Sequence, residues 1–366
     1  MKITHIDIYR LSIPMEAFTI ATGTMDYAQN VFIRIHTDAG FYGVGECSAF
    51  PMIVGETQST CFVMAADFAQ LWKGKDPIDI EARMHELHLF TAGNATIKSA
   101  FDMALYDIAS KAANQPLYRF LGGESRKTLP TDLTIGIGPV HKMVTQAKAF
   151  VADGVRIIKV KLGKQADEDI ERIKRIREAV GPAIQLRIDA NQGWSPDDAE
   201  KALRAMAPYD IQFCEQPMRT YNYHFLPELV QRSPIAVMAD ESVYNHYDAE
   251  RMIRTHSCSF VNIKIAKSGG ILEGMLINEV CETAGIPCMM GGMLESRLAL
   301  TAFAHMATAC DNIIFYDMDT CLIGHLEDPV LGGARYDNYH VVLPNAVGIG
   351  ADISDAFLAV CERRRV

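Results

Sequence analysis

The stretch Ile157-Ile158-Lys159-Val160-Lys161-Leu162 places two lysines, one residue apart, among branched apolar side chains. Such side chains are typical of a buried strand in a parallel sheet. Positions i and i+2 of a strand share one face, so both ammonium groups point the same way. Because like charges held close disfavour each other, the stretch predicts that at least one lysine has a lowered pKa and serves as a base. The alternative is a strand edge whose lysines face solvent.

Segments with strand character recur after this stretch, and most of them end in a charged residue. They alternate with helix-patterned stretches, an order typical of parallel βα units. The predicted strands are Asp132–Ile135, Ile157–Lys161, Ile184–Asp189, Ile211–Glu215, Ile235–Asp240, Phe260–Lys264, Ile286–Met290 and Ile313–Asp317. The predicted helices include Asp167–Val180, Asp197–Met206, Asp248–Arg254 and Leu272–Ala284. Eight such strands close a (β/α) barrel, in which the carboxyl ends of the strands converge on one active site.

The 366 residues divide into three predicted parts. Residues 1–123 form a capping domain that sets substrate specificity. They begin with an antiparallel meander over Lys2–Ile13, Asn30–Thr37 and Tyr42–Ala49, and 57–120 read as mainly helical. Residues 124–320 form the barrel, with Leu121-Gly122-Gly123 at the boundary, and 321–366 return to the capping domain.

Bulk properties exclude several classes of function. The formal net charge of −10 disfavours a nucleic acid partner. No apolar run reaches membrane-spanning length, and the N-terminus lacks the apolar core of a signal peptide. The nine cysteines include no CxxC pair, which predicts reduced thiols in a cytoplasmic protein. A homo-oligomer is expected, because capped barrels often associate.

Three carboxylates, Asp189, Glu215 and Asp240, end successive predicted strands and should therefore face one another. Three clustered anions repel unless a cation lies among them. Oxygen ligands with room for water suit one Mg²⁺ per site, with Mn²⁺ as a substitute. The alternative is a set of salt bridges with the nearby lysines.

Lys264 ends the sixth predicted strand, on the far side of this metal site from Lys161. A metal bound to a substrate carboxylate would stabilise an enediolate, and a lysine on either face could remove or return the α-proton. This arrangement predicts racemisation or epimerisation by 1,1-proton transfer, without an organic cofactor.

These motifs resemble the enolase superfamily, in its muconate-lactonizing-enzyme subgroup. The resemblance covers essentially the whole chain. It rests on Lys159-Val160-Lys161, Asp189-Ala190-Asn191, Glu215-Gln216-Pro217, Asp240-Glu241-Ser242, Lys264 with Ser268-Gly269-Gly270, and Ala100-Phe101-Asp102-Met103-Ala104 with Asp107. It implies an α/β fold, a (β/α)7β-type modified TIM barrel with an α+β N-terminal capping domain. It also implies Mg²⁺ on the three acids and opposed acid/base groups at Lys161 and Lys264. Lys159 would lie beside the substrate carboxylate and lower the pKa of Lys161.

Asp317-Met318-Asp319, at the end of the eighth predicted strand, resembles the Asp-x-Asp motif of dipeptide epimerases. Acids at i and i+2 point to one side and form an anionic pocket that suits a free α-ammonium group. The alternative is a pair of acids that cap a helix N-terminus with Thr320. Met293-Leu294-Glu295-Ser296 also resembles these epimerases, and Glu295 either orients a catalytic group or pairs with Arg297.

Substrate specificity is expected to depend on capping-domain loops around 16–26 and 48–56. Epimerases that act on Ala-Glu carry an arginine in the first loop, but Phe18–Met25 contains neither arginine nor lysine. An unpaired buried carboxylate is costly, so the epimerised C-terminal residue is expected to be small or apolar, as in Ala-Ala or Ala-Val. The candidate substrate contacts are Thr19, Thr24, Ile53, Thr134, Lys159, Met293, Glu295, Asp317 and Asp319.

Several alternative functions stay open. An L-Ala-D/L-Glu epimerase, an N-acylamino acid racemase or an o-succinylbenzoate synthase would keep the same lysines and metal ligands. A catalytically silent binding protein is disfavoured by the complete set of bases and ligands. An acid-sugar dehydratase is disfavoured because Ile286–Met293 contains no histidine base.

Overall fold

A long β-hairpin dominates the N-terminal part of the chain in the computed structural model, which describes all 366 residues. Its strands are β1 (Ile3–Ile20) and β2 (Gly23–Thr37), and β3 (Tyr42–Ser48) pairs antiparallel with β2. The predicted loop at 16–26 is wrong, because Phe18–Ile20 pair with Gly23–Met25 up to the turn at Ala21-Thr22, after an interruption of the pairing between Pro14 and Phe18. β-Branched and aromatic residues favour this extended pairing.

Five helices pack beside this hairpin. They are α1 (Pro51–Val54), α2 (Gln58–Trp72), α3 (Ile80–Phe90), α4 (Ala95–Ala112) and α5 (Leu117–Phe120). Helix α4 is buried along almost its whole length and packs against β3. Gly45 permits this contact, since a Cβ there would lie 1.8 Å from the carbonyl oxygen of Ala100. Helix α1 replaces part of the second predicted loop, 48–56.

Eight parallel strands form the second sheet, after the short strand β4 (Leu129–Pro130). They are β5 (Leu133–Ile135), β6 (Ile157–Lys161), β7 (Gln185–Asp189), β8 (Ile211–Glu215), β9 (Val237–Ala239), β10 (Phe260–Ile263), β11 (Cys288–Gly291) and β12 (Ile313–Asp317). Their spatial order follows the sequence, and Asp132 N approaches Tyr316 O at 3.4 Å where the first and last strands meet. The predicted α/β barrel is confirmed.

The barrel strands are connected by helices α6 (Val140–Ala152), α7 (Ala166–Val180), α8 (Pro196–Met206), α9 (Leu226–Arg232), α10 (His246–Arg254), α11 (Ile265–Ser268), α12 (Ile271–Thr283) and α13 (Arg297–Ala309). Short 3-10 helices lie at Ala207–Tyr209 and Thr220–Phe225. Helices α8, α10 and α13 begin at the N-cap residues Ser195, Asn245 and Ser296, whose side chains accept hydrogen bonds from backbone N–H groups of the first turn. No helix combines the length and the apolar character needed to cross a membrane.

The C-terminal part returns to the N-terminal sheet. Its elements are α14 (Thr320–Ile323), β13 (Val330–Gly332), β14 (Arg335–Asp337), β15 (His340–Val342), β16 (Ala351–Ile353), α15 (Asp355–Leu358) and β17 (Arg363–Arg365). Strand β17 pairs antiparallel with β1, and Asp7 accepts hydrogen bonds from Arg363 and Arg365. The N-terminal sheet therefore has four strands, in the order β17-β1-β2-β3.

The barrel interior has two layers. Phe213, Met238, Met289 and Phe315 form an apolar cluster separate from the main core, and we call this set the apolar layer. Glu215, Asp240 and Asp317 follow Phe213, Met238 and Phe315 by two positions, towards the carboxyl end of the barrel. Together with Lys161, Asp189 and Lys264, at the ends of other strands, they form the set that we call the charged layer. The side-chain period of two places both layers on the inward face of each strand.

Candidate active site

Lys161 and Lys264 lie on opposite sides of the barrel. Lys161 ends β6, the second barrel strand, and Lys264 follows β10, the sixth, so three strands lie between them on either side. Both side chains line one cavity, with residue exposures of 7% and 4%. The alternative of solvent-facing lysines at a strand edge is therefore wrong.

Lys159 lies beneath this cavity in a ring of carboxylates. It is fully buried, and its Nζ lies 2.6 Å from both Asp317 Oδ2 and Glu215 Oε2 and 3.3 Å from Asp189 Oδ2. Burial lowers the pKa of Lys159, but attraction by Asp317, Glu215 and Asp189 outweighs burial and raises this pKa well above its ordinary value. The expectation that neighbouring ammonium groups lower each other's pKa does not hold for Lys159.

The acids Asp189, Glu215 and Asp240 are fully buried at neighbouring strand ends, where Asp189 pairs in register with Glu215. Lys161 Nζ lies 2.6 Å from Asp189 Oδ2, and Lys264 Nζ lies 3.1 Å from Asp240 Oδ2. The salt bridges of the alternative hypothesis therefore exist. Burial, and then Asp189, raise the pKa of Glu215 to about 7, which reports the repulsion expected when acids share a site.

The donor set of this trio fits Mg²⁺. All of its side-chain ligand atoms are oxygens. Asp240 Oδ2 has no hydrogen-bond partner beyond its ion pair with Lys264, and the neighbouring buried Asn191 Oδ1 has no hydrogen-bond partner at all. Asn262 Nδ2 donates to Glu215 Oε1 at 2.7 Å, and Lys267 Nζ donates to Asp240 Oδ1 at 2.8 Å, which orients the two acids. Such supporting contacts are typical of metal ligands.

A second buried trio could also hold a cation. The carboxylates of Asp132, Asp317 and Asp319 approach within 4.8 Å of one another. Arg187 already pairs with Asp132 at 2.8 Å, and Lys159 pairs with Asp317. No ion pair joins this second trio to Lys161 or Lys264, whereas Asp189 pairs with Lys161 and Asp240 with Lys264. The trio of Asp189, Glu215 and Asp240 is therefore the better site for a metal that acts between the two lysines.

Asp317 and Asp319 both line the cavity. Burial raises the pKa of Asp317, but the positive charges of Lys159, Lys161 and Lys264 together outweigh burial and bring that pKa to about 2. Burial and the charge of Asp317 raise the pKa of Asp319 to about 7. Asp319 Oδ2 accepts from the Thr134 backbone N at 2.6 Å, although Asp319 stands at the N-cap of α14 without a side-chain capping bond. The helix-capping alternative is therefore wrong, and the pair forms an anionic pocket.

The cavity has an empty volume of about 550 Å³, part of it open to solvent. Its polar side includes Thr134 and Asn191. Its apolar wall comes from the hairpin, α1 and the loop after β11, and includes Met15, Phe18, Ile20, Phe50, Ile53, Met293 and Leu294. The predicted contacts Ile53, Thr134 and Met293 are thus brought to the cavity.

The prediction that Thr19 and Thr24 contact the substrate is wrong, since neither residue lines the cavity. Their hydroxyls hydrogen-bond to each other at 2.9 Å across the hairpin. Alternate residues of a strand face opposite sides, so Phe18 and Ile20 face the cavity while Thr19 faces away. The prediction treated this region as an irregular loop and therefore missed the alternation.

Glu295 is fully buried behind the cavity wall and does not line the cavity. Its carboxylate accepts a hydrogen bond from Met293 N at 2.5 Å, and burial raises its pKa to about 7. Arg297 pairs instead with Asp328, so the Glu295–Arg297 alternative is wrong.

Sequence reasoning also missed functional neighbours. Asn262 lies two residues before Lys264, and this i, i+2 spacing was an available signal for an inward-facing side chain. Met15 and Phe50 gave no such signal, because they reach the cavity only through the long hairpin and the start of α1.

Comparison with protein families gives two matches that together cover most of the chain. Residues 4–122 match the mandelate racemase/muconate lactonizing enzyme N-terminal domain. Residues 142–357 match the enolase C-terminal domain-like family.

Three curated relatives are similar over nearly the whole chain. The D-Ala-D/L-Ala epimerase of Cytophaga hutchinsonii is 42% identical, over 99% of each chain. The hydrophobic dipeptide epimerase of Enterococcus faecalis is 38% identical, over 96% of this chain and 99% of that protein. The L-Ala-D/L-Glu epimerase of Clostridium acetobutylicum is 36% identical, with the same coverage. A crystal structure of the dipeptide epimerase from Cytophaga hutchinsonii, complexed with Mg and D-Ala-L-Val, aligns over 100% of both chains with a TM-score of 0.98.

Proposed function

The chain belongs to the mandelate racemase/muconate lactonizing enzyme family of the enolase superfamily, and we propose that it is a Mg²⁺-dependent dipeptide epimerase. Its reaction would invert the α-carbon of the C-terminal residue of a dipeptide whose side chain at that position is small or apolar. The observation that carries this proposal is a single cavity with opposed lysines, an anionic pocket and an apolar wall.

Lys161 and Lys264 would act as the acid/base pair. A substrate α-carbon between them presents one face to each lysine. One lysine, in its neutral form, removes the α-proton, and the opposite lysine, in its protonated form, delivers a proton to the other face. Exchange of roles between the two runs the reaction in the reverse direction, which accounts for epimerisation both ways.

Asp189, Glu215 and Asp240 would hold Mg²⁺, which when bound would balance the negative charge that develops on the substrate carboxylate as the α-proton leaves. Lys159 does not line the cavity, and it would supply a further positive charge from beneath that carboxylate. Its contacts with Glu215 and Asp317 support this role, because they fix the ammonium group between the metal ligands and the anionic pocket.

Asp317 and Asp319 would bind the free α-ammonium group of the dipeptide. Their two carboxylates meet at one side of the cavity, and a cation there would offset the mutual repulsion that raises the pKa of Asp319. An N-acylated amino acid has no such cation, so this pocket favours a dipeptide over the substrates of acyl racemases.

The apolar wall supports the choice of a small or apolar C-terminal residue. Phe18, Ile20, Phe50 and Ile53 offer no cation to a glutamate side chain, and burial of an unpaired carboxylate costs several kcal/mol. The names of the Cytophaga and Enterococcus relatives agree with this substrate class, whereas the Clostridium relative is named for Ala-Glu. Overall identity alone therefore does not separate the specificities.

The test is incubation of the Mg²⁺-loaded protein with dipeptides in D₂O, followed by mass spectrometry. We expect Ala-Ala and Ala-Val to gain one deuterium, and Ala-Glu to gain it far more slowly. Preferential exchange with N-acylamino acids would overturn the dipeptide proposal. Preference for Ala-Glu by kcat/KM would overturn the apolar specificity and keep the reaction.

A further inference from the structure

We propose that Glu46, in the N-terminal sheet, is a positioning residue that fixes the cavity wall formed by the loop after β11. This wall loop, Gly292–Ser296, contributes Gly292, Met293 and Leu294 to the cavity. The inference deepens the proposed function, on which its kinetic part rests, because it identifies what holds the shape of the substrate site.

Glu46 joins the N-terminal sheet to the wall loop and the start of α13 through a carboxylate with four hydrogen-bond donors. It lies on β3 and is 1% exposed. Its Oε1 accepts from Asn30 Nδ2 at 2.6 Å and Ser296 N at 2.8 Å, and its Oε2 accepts from Ser296 Oγ at 2.5 Å and Ala299 N at 3.3 Å. Four donors match the acceptor capacity of an ionised carboxylate. Its negative charge also lies at the N-terminus of α13, where the helix dipole favours it.

The same strands hold the wall loop directly. Asn30 Nδ2 donates to Leu294 O at 3.1 Å, and Leu294 N donates to Ser48 Oγ at 3.3 Å. Both backbone polar groups of this cavity residue therefore bond to β2 and β3. Asn30 in turn is oriented by Glu46, so loss of the carboxylate would disturb both contacts to the loop.

This arrangement makes the N-terminal sheet the common support of two cavity walls. Phe18 and Ile20 come from its β1, and Leu294 is held by its β2 and β3. The lysines, in contrast, are placed by barrel strands. Loss of Glu46 should therefore weaken substrate binding and the selection of side-chain size, which affect KM and substrate preference. It should have less effect on proton transfer in the bound substrate, which affects kcat.

Asp102 provides a matched control. It is a fully buried carboxylate of α4, and it accepts from the backbone N of Ile271 and of Leu272 at the start of α12. It thus also joins the N-terminal part to a barrel helix N-terminus. Neither Ile271 nor Leu272 lines the cavity, so the Asp102→Asn variant loses a comparable cap without disturbing the wall loop.

The experiment compares Glu46→Gln, Glu46→Ala and Asp102→Asn in the full-length, Mg²⁺-loaded protein. We expect faster amide hydrogen exchange at Met293–Ser296 in both Glu46 variants, and exchange as in the parent protein at these amides in Asp102→Asn. We also expect KM for Ala-Ala to rise about tenfold in Glu46→Ala, which corresponds to about 1.4 kcal/mol, with a much smaller change in kcat. The ratio of kcat/KM for Ala-Ala to kcat/KM for Ala-Leu should change in the Glu46 variants and stay as in the parent protein in Asp102→Asn.

Equal changes in the Glu46 and Asp102 variants would overturn the proposal, because they would show a general loss of stability. The proposal would also be overturned if amide hydrogen exchange at Met293–Ser296 in Glu46→Gln were the same as in the parent protein. If Glu46→Ala does not fold, the milder Glu46→Gln variant alone tests the proposal. If the parent protein turns over no dipeptide, the proposed function fails, while the exchange measurement still tests the role of Glu46.

Discussion

The apolar layer and the charged layer of the barrel interior share the strands β8 and β12. β8 supplies Phe213 and then Glu215, and β12 supplies Phe315 and then Asp317. On each of these two strands, the packed aromatic side chain and the acidic side chain are two residues apart and lie on the same face. The comparison teaches that, along these strands, the residues that stabilise the barrel and the residues that carry its chemistry lie at different levels, as expected for the two ends of a TIM barrel.

Arg187 is a buried charged residue that packs against the apolar layer. Its guanidinium lies 5.3 Å from the ring centroids of both Phe213 and Phe315. It donates to Asp132 Oδ2 and Gln212 Oε1 at 2.8 Å, and to Tyr316 O at 3.0 Å. A buried charge is tolerated here because its donors are satisfied. The charged layer differs in that it retains unsatisfied oxygens.

The largest expected effect is in the charged layer. Lys161→Ala should stop deuterium exchange from one stereoisomer of the substrate and Lys264→Ala from the other, with kcat lowered by about a thousandfold or more. Mass spectrometry in D₂O with each pure stereoisomer measures this. Lys164→Ala, an exposed lysine just beyond β6, is the control and should exchange normally. Exchange from both isomers in either cavity-lysine variant would refute the two-base reaction.

Phe213→Ala should have the next largest effect, on stability instead of activity. Removal of a fully buried aromatic side chain leaves a cavity and costs about 3–5 kcal/mol of unfolding free energy. Urea unfolding measures this loss, and Phe213→Leu should lose less. The folded fraction should keep its kcat. A parallel fall in kcat would show that the two layers are coupled.

Asp317→Asn should have an intermediate effect, confined to binding. Loss of one charge from the anionic pocket should raise KM for free dipeptides by about tenfold to a hundredfold, since a charge-assisted hydrogen bond contributes about 1.5–3 kcal/mol. KM for N-acylated analogues should change little, and Asp319→Asn should behave in the same way. An equal rise in KM for both substrate classes would remove the ammonium assignment.

His305, outside both layers, should give the smallest effect. Burial lowers its pKa from 6.5 to about 4, and Tyr118 N donates to its Nδ1 at 3.1 Å, which requires Nδ1 to be unprotonated. The unfolded chain therefore binds a proton first as pH falls, so stability is lost between pH 6.5 and 4. We expect a loss of about 1 kcal/mol from pH 7 to 5.5.

Urea unfolding at the two pH values measures this loss. His305→Asn should reduce the pH dependence, because asparagine does not titrate. Its side-chain oxygen can still accept the hydrogen bond from Tyr118 N. If the variant keeps the full pH dependence, the acid sensitivity comes from the charged layer instead.

The barrel was predictable because its signals are local. Each strand of the charged layer ends an apolar run in a charged residue, and Ser195 and Asn245 start helices by capping their own first turn. The hairpin tip was mispredicted because its pairing depends on cross-strand partners and not on local composition.

The role of Glu46 could not be read from the sequence. It is a lone acid on a strand, and its partner Ser296 lies 250 residues away in the chain. Contacts of this length bring together residues whose local sequences carry no shared pattern. The same reason explains why the trio of Asp132, Asp317 and Asp319 escaped prediction, although two of its members were identified.

The pairing of β1 with β17 has a consequence for synthesis on the ribosome. Ile6 exchanges two backbone hydrogen bonds with Val366, both 3.0 Å long, and Asp7 and Arg365 are 358 residues apart. The outer edge of β1 therefore stays unpaired while the barrel is being translated. An open strand edge is a template for pairing with other chains. In nascent molecules this edge of β1 is consequently exposed to aggregation until β17 has been synthesised and closes the sheet.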